Sequence, residues 1–425
     1  MCYTLCATSN GMDPVFIAWD ELNIAFSFLI NLWWIYIPLL LLLGLMSAYG
    51  TYTKLKYISG LKWVLLKLNP PKDPGKSPKA AEHIFAALHG IYSPVKWKDK
   101  FFKGKVPDWF SFEIAGTQGE IHFYIRTPEQ YKTLVQSQVY AQYPDSEITE
   151  VSDDYADWFP LVPDDKYDLL GSEFILNKED VFPIRTYPEF EEKPSGPGDI
   201  KRVDPLASLS EVMSSLEAGE NIAIQLLFRP TGDGWVKKGQ GAIDKFQGKA
   251  PKVAQDFLGK TVWEIDKLIP GHVEVKKEEK KPESTKLTPG KEDSLKAIER
   301  KISKLGFESG IRFIYSGLRE NFHKTHVSGV IGAFKQFSSP SLNGFKPNKK
   351  TGTSAKWPFK AQKEYKQKMF LSRKFKNRAF VSKPFVLNTE ELASIYHFPD
   401  IGVKTPLMPR IEAKKGEPPS GLPIA

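Results

Sequence analysis

The chain has 425 residues, enough for about two or three domains. A charged fraction of 26% and a mean hydropathy of −0.33 exclude a protein built mostly of membrane spans. A net charge of +9 implies a basic face of the kind that attracts phosphate, on nucleic acid or on anionic lipid, with simple solubility as the plainer explanation.

The two cysteines, Cys2 and Cys6, open the chain, so the rest can hold neither a disulfide nor a cysteine metal site. The residues before Cys6 match a lipoprotein cleavage site poorly, and Met12 is a second candidate start. No residue from Leu22 to Thr53 carries a charge, and the run contains Ile37-Pro-Leu-Leu-Leu-Leu-Leu-Gly44. A bilayer core of about 30 Å needs about 20 apolar residues, so a transmembrane helix is expected within 23–53. Pro38 and Asn31 do not forbid it. A cleaved signal fits worse, because the run is too long and its upstream flank is acidic (Asp13, Asp20, Glu21). Lys54, Lys56, Lys62, Lys67 and Lys72 follow the run. The positive-inside rule then puts residues 1–22 outside and the bulk in the cytoplasm, at the inner membrane.

Beyond the anchor, short apolar runs alternate with helical patterns. Trp63–Leu68 reads as a strand and Lys79–Gly90 as an amphipathic helix. Trp109–Ile114 and Glu120–Ile125 read as a hairpin. Thr127 reads as the N-cap of a helix reaching Tyr143, and Glu147–Val151 as a closing strand. This β-α-β-β-α-β order, over 57–152, is the ferredoxin-like arrangement. An acidic linker is expected over 153–180.

The pattern recurs over 181–345: strand Phe182–Tyr187, helix Leu206–Glu217, strands Asn221–Phe228 and Gly310–Tyr315, helix Asn321–Phe337 and a short strand near Leu342–Phe345. An insertion over 229–307 holds the run Lys276-Lys-Glu-Glu-Lys-Lys and a helix over Ser294–Leu305. The fold class is therefore α+β: one membrane helix, two tandem ferredoxin-like units, and a basic, Pro-rich connector over 346–425.

Catalytic motifs are not evident. Ala254–Thr261 fits a relaxed phosphate loop, with Lys260 and Thr261 at its end, but it lacks the interior glycines and the preceding strand that a phosphate cradle requires. His323 and His326 have ligand spacing on a predicted helix, yet no third ligand lies nearby in sequence. His83 and His89 read as packing residues. Asp153, Asp154, Asp157, Asp164 and Asp165 lack calcium-loop spacing and read as a solvated loop. Hence no metal, no cofactor and no enzymatic activity are assigned.

The C-terminal third carries the clearest bias. Lys346–Lys383 has thirteen Lys and Arg against one acid, Glu364, interleaved with Trp357, Phe359, Tyr365, Phe370, Phe375 and Phe380. Basic side chains neutralise phosphates and aromatic faces stack on bases. Lys360, Lys363, Lys366, Lys368, Arg373, Lys374, Lys376 and Arg378, on a predicted helix, are the candidate polyanion contacts. Inner-leaflet lipid contact and a solvated connector are the competing readings.

Two stretches carry a family resemblance. One runs from Ala80-Ala-Glu-His-Ile-Phe-Ala-Ala-Leu-His-Gly through Trp109-Phe-Ser-Phe-Glu-Ile and Ile121-His-Phe-Tyr-Ile-Arg-Thr-Pro to Gln138-Val-Tyr-Ala-Gln-Tyr-Pro. The other is Phe385-Val-Leu-Asn-Thr-Glu-Glu-Leu-Ala-Ser-Ile-Tyr-His-Phe-Pro399, followed by Val403-Lys-Thr-Pro and Ala413-Lys-Lys-Gly-Glu-Pro-Pro. Together they resemble the membrane-anchored N-terminal region, a domain of unknown function, of bacterial proteins related to type IV secretion and conjugative DNA-transfer ATPases. The resemblance implies an anchor and platform without its motor, with Asn388–His397 as connector to one. It also implies a partner ATPase or other secretion subunit, homo-oligomerisation, and contact with the bilayer and with nucleic acid. A membrane-tethered protein scaffold unrelated to DNA is the alternative, and a nucleotide-dependent enzyme using Lys260 and Thr261 a third.

Overall fold

The computed structural model describes Asn31 and residues 33–71, 77–161, 163–190, 203–247 and 288–399. The expectations for residues 1–30, for Lys260 and Thr261, for the charged run at 276–281 and for the tail past 399 lie outside the described residues. The chain divides into two units, Met1–Leu61 with Val95–Val106, and Lys62–Pro94 with Pro107–Ala425.

In the first unit, helix α1 spans Trp33–Ser59 with Pro38 inside it. At about 1.5 Å per residue it is roughly 40 Å long, more than a hydrocarbon core requires. Among the described residues it is the one helix long and apolar enough to cross a membrane. Its leucines, Leu39–Leu43 among them, are exposed. Near its end the Tyr49 ring meets Phe101, from the short helix Trp97–Phe102, at 6.1 Å. Gly104 follows at φ 64°, where a Cβ would lie 2.2 Å from the Thr53 carbonyl carbon. Only glycine allows so close a pass.

Among the described residues, the second unit is built on one antiparallel sheet of nine strands. In chain order its elements are β1 Trp63–Asn69, α2 Lys79–Leu88, β2 Phe110–Thr117, β3 Glu120–Pro128, α3 Lys132–Gln142 and β4 Glu147–Glu150. Then come β5 Tyr167–Leu176, α4 Ala207–Ser214, β6 Asn221–Pro230, α5 Gly234–Phe246, α6 Pro289–Ile302, β7 Gly306–Leu318, α7 Lys324–Lys335 and β8 Phe345–Pro347. Helix α8 Lys360–Lys376, strand β9 Phe385–Asn388 and helix α9 Thr389–Ile395 complete it. The strand order is β4-β1-β3-β2-β6-β7-β5-β8, and β9 pairs with β7. Strands β2 and β6 join along their lengths, Phe110 opposite Phe228 through Thr117 opposite Asn221. The protein is thus α+β, a mixture of helices with an antiparallel sheet.

Both faces of the sheet are covered, so β2, β6 and β7 are buried almost end to end. One face is apolar: Phe112, Ile114, Phe123, Ile125, Ile224, Phe228 and Phe313 pack on helix residues such as Phe85, Val139, Met213 and Phe334. Most of the hydrophobic driving force resides here, each fully buried side chain contributing about 1.5–3 kcal/mol. The other face carries a polar row. Register places Lys67 opposite Tyr124, Tyr124 opposite Glu113, Glu113 opposite Gln225, Gln225 opposite Arg312 and Arg312 opposite Glu173. Tyr155, Phe159 and Phe375 cover the small apolar residues beside that row.

Four sequence expectations need correction. The first strand of the later half is not Phe182–Tyr187 but β5, which lies inside the stretch read as an acidic linker. Two acids in it, Asp168 and Glu173, each meet a cation, Lys368 for Asp168 and Arg312 for Glu173. Thr127 is no N-cap: it lies within β3, is buried, and the helix begins five residues later. His83 is exposed, whereas His89 packs edge-on against Phe307. Residues 388–397 do not form a free connector. All seven residues of α9 are buried, and β9 extends the sheet beside β7.

Candidate polyanion-binding face

Helix α8 starts after Phe359, whose φ of 62° is unusual for a bulky residue, and ends in a basic turn of Arg373, Lys374 and Lys376. Cations near a helix C-terminus are favoured by its dipole. One side of the helix buries Leu371, Ser372 and Phe375. Opposite lies a stripe at helical spacing, Lys363, Lys366, Phe370 and Arg373, all exposed. Lys360 is also exposed, and Trp357 (88%), Phe359 (69%) and Phe370 (54%) present their rings to solvent. So four of the eight expected contacts, Lys360, Lys363, Lys366 and Arg373, are open to solvent, as are three aromatic rings of the same stretch.

The other four pair with acids of the protein itself, Lys376 at the surface and the rest partly or fully buried. Lys368 Nζ lies 2.6 Å from Asp168, and Lys376 Nζ 3.2 Å from Asp157. Lys374 Nζ is 3.4 Å from Glu173 and sits 4.5 Å over the Phe370 ring. Arg378 is 1% exposed. Its Nε donates to Glu113 Oε1 at 3.1 Å and its Nη2 to Asp154 Oδ1 at 2.6 Å. Burial works against its charge, yet Glu113, Tyr155 and Asp154 around it hold its pKa well above the ordinary value. Burial pushes the Asp154 carboxyl up, but Arg378 prevails and holds it below the usual carboxylate range. The acidic stretch and the basic stretch, read separately in sequence, are therefore in part each other's partners.

Arg312, fully buried on β7, ties α8 to the sheet. Its Nη1 donates to the Lys374 carbonyl at 3.0 Å and its Nη2 to the Ala379 carbonyl at 2.9 Å and to Glu173. Gln225 Nε2 donates to the Phe375 carbonyl at 3.0 Å. The Lys374 and Phe375 carbonyls also accept the N–H groups of Ala379 and Arg378, so these side chains add second bonds to a helix end already closed by backbone. The exposed face of α8 is thereby held rigid against the sheet.

A second buried network fixes α9. Asn388 accepts from the Glu391 N–H at 2.9 Å while Glu391 accepts from the Asn388 N–H at 2.8 Å, a reciprocal cap. Glu391 also pairs with Lys301 at 3.1 Å, both side chains fully buried. Beside them a cavity of about 180 Å³ is lined by Thr186, Glu189, Arg300 and Glu390 among others. It is smaller than the roughly 300–1,000 Å³ of ordinary ligand pockets.

His323 and His326 come together at the start of α7 with Glu220, which precedes them by about a hundred residues and which sequence reasoning missed. No local spacing signals that contact. No curated protein matches the chain in comparison. The family model described as "Domain of unknown function (DUF8128)" matches residues 51–409, most of the chain, and the protein belongs to that family.

Proposed function

We propose that this protein is a non-catalytic, membrane-anchored platform of a type IV secretion-like, DNA-transfer machine. Helix α1 crosses the cytoplasmic membrane with the N-terminus outside and the sheet-built unit in the cytoplasm. That unit docks an ATPase or another machine subunit, assembles as a homo-oligomer and contacts DNA through Lys360, Lys363, Lys366 and Arg373. The carrying observation is the open basic stripe of α8 with Trp357, Phe359 and Phe370 beside it. Rigid cations and exposed rings suit a single-stranded polyanion.

We also read the sheet as two ferredoxin-like units in tandem. The order β4-β1-β3-β2 and its counterpart β8-β5-β7-β6, each with two helices on one face, support that reading. The alternative, a scaffold for proteins alone, rests on the sheet-end strand β4, to which an extended peptide can add.

Titration of the full chain in detergent with a single-stranded oligonucleotide tests the DNA contact. Four phosphate contacts give a slope of about −0.7 per contact, so affinity falls about 50-fold between 50 and 200 mM salt. Replacing the four residues by Glu should abolish binding. Unaltered binding in that variant, or binding only to anionic vesicles, would remove the DNA claim.

A further inference from the structure

We infer that Glu220, His323 and His326 form a binding site for a divalent transition-metal ion. Glu220 ends the turn that leads into β6, and its side chain is fully buried. His323 Nδ1 lies 3.4 Å from Glu220 Oε1, and His326 Nε2 lies 3.3 Å from Oε2. All the ligand atoms fall within 4.8 Å of one another.

The distances leave room for an ion among the three groups, each imidazole nitrogen standing off a different Glu220 oxygen. Charge-assisted N–H···O bonds are typically about 2.7–2.9 Å. Ligands held at about 2.0–2.1 Å around a tetrahedral ion stand about 3.3–3.4 Å apart. The carboxylate is already oriented by other donors. The Tyr315 hydroxyl donates to Oε1 at 2.6 Å, and the Glu217 N–H donates to Oε2 at 2.9 Å. A carboxylate has about four acceptor positions, so each oxygen keeps one for an ion. Tyr315 also accepts from the His323 N–H at 2.9 Å, so one hydroxyl positions both a ligand and the backbone of another. Such outer-shell bonds fix ligand geometry at metal sites.

Two imidazoles and one carboxylate select zinc, iron, nickel or copper over calcium and magnesium, which prefer all-oxygen sets. The side chain of His323 is 52% exposed and that of His326 14%, so the ion would enter from solvent and keep a position open to water. Bound, it would clamp the first turn of α7 to the start of β6.

The test is zinc titration by calorimetry on the full chain in detergent, without a polyhistidine tag, with cobalt(II) absorption as a second readout. One equivalent should bind. His323→Ala, at a half-exposed position, should weaken binding at least about 100-fold with an unchanged melting temperature in the absence of metal. Tyr315→Phe should weaken it about 10–100-fold, and the exposed His83→Ala should leave it unchanged. Absence of stoichiometric binding at millimolar zinc, or equal binding by wild type and His323→Ala, overturns the site.

Discussion

Replacing Arg378 by Met retains most of the side-chain volume and removes the charge that pairs with Glu113 in the polar row. Among the described residues, Glu113, fully buried on β2, then keeps Ser111, Tyr155 and Gln225 as hydrogen-bond partners, all neutral, with Arg126 and Arg312 acting on it only through their charge. Asp154 loses its guanidinium as well. Leaving a buried charge without its partner costs about 3–5 kcal/mol. For a folded body of this size, at roughly 2.1 cal/mol/K of unfolding entropy per residue, that corresponds to a melting-temperature drop of about 4–7 °C. Thermal unfolding of the detergent-solubilised chain, followed by circular dichroism, reads it. The double variant Arg378→Met/Glu113→Leu removes both charges and should recover most of the loss. A single variant within 1 °C of wild type, or a double variant no better than the single, would refute the assignment of Arg378 to a buried ionic network.

Asn388→Ala removes one half of the reciprocal cap on α9 together with a bond to the Lys301 carbonyl; it should cost about 1 kcal/mol, measured as a shift in denaturation midpoint. Asp154 and Glu390 both have depressed pKa values, Lys304 and Thr186 overcoming burial at Glu390 as Arg378 does at Asp154. A carboxyl with a folded pKa below its unfolded value stabilises above the unfolded pKa and loses that contribution as pH falls through the folded one. The melting temperature should therefore decline below about pH 4, and Asp154→Asn should flatten that decline.

The alternating Glu120–Ile125 and the strongly apolar run Asn221–Phe228 were legible because their apolar side chains need no remote partner to mark a strand. Strand β5 was not, since Tyr167-Asp-Leu-Leu-Gly-Ser-Glu places two acids in it, and the cations that neutralise them come from β7 and α8. Phe182–Tyr187 looked like a strand because Ile184 and Tyr187 are buried, yet the Ile184 N–H is taken by the Glu391 carboxylate at 2.9 Å and not by a neighbouring strand. The basic bias near 360–378 was plain, but which cations stay free depends on helix face and on acids some two hundred residues earlier. The Asn-x-x-Glu signature at 388–391 was the available sign of a built cap. Glu220 offered no sign at all beside His323 and His326.

The anchored, cytoplasmic platform is tested most directly by site-specific labelling. With Cys2 and Cys6 replaced by Ser, a single cysteine at exposed Lys383 becomes the one reactive thiol in the chain. In spheroplasts, a body on the cytoplasmic side predicts no reaction with a membrane-impermeant maleimide until the cells are lysed, with the protein pelleting with membranes throughout. Labelling before lysis, or recovery of the full chain in the soluble fraction, would contradict it.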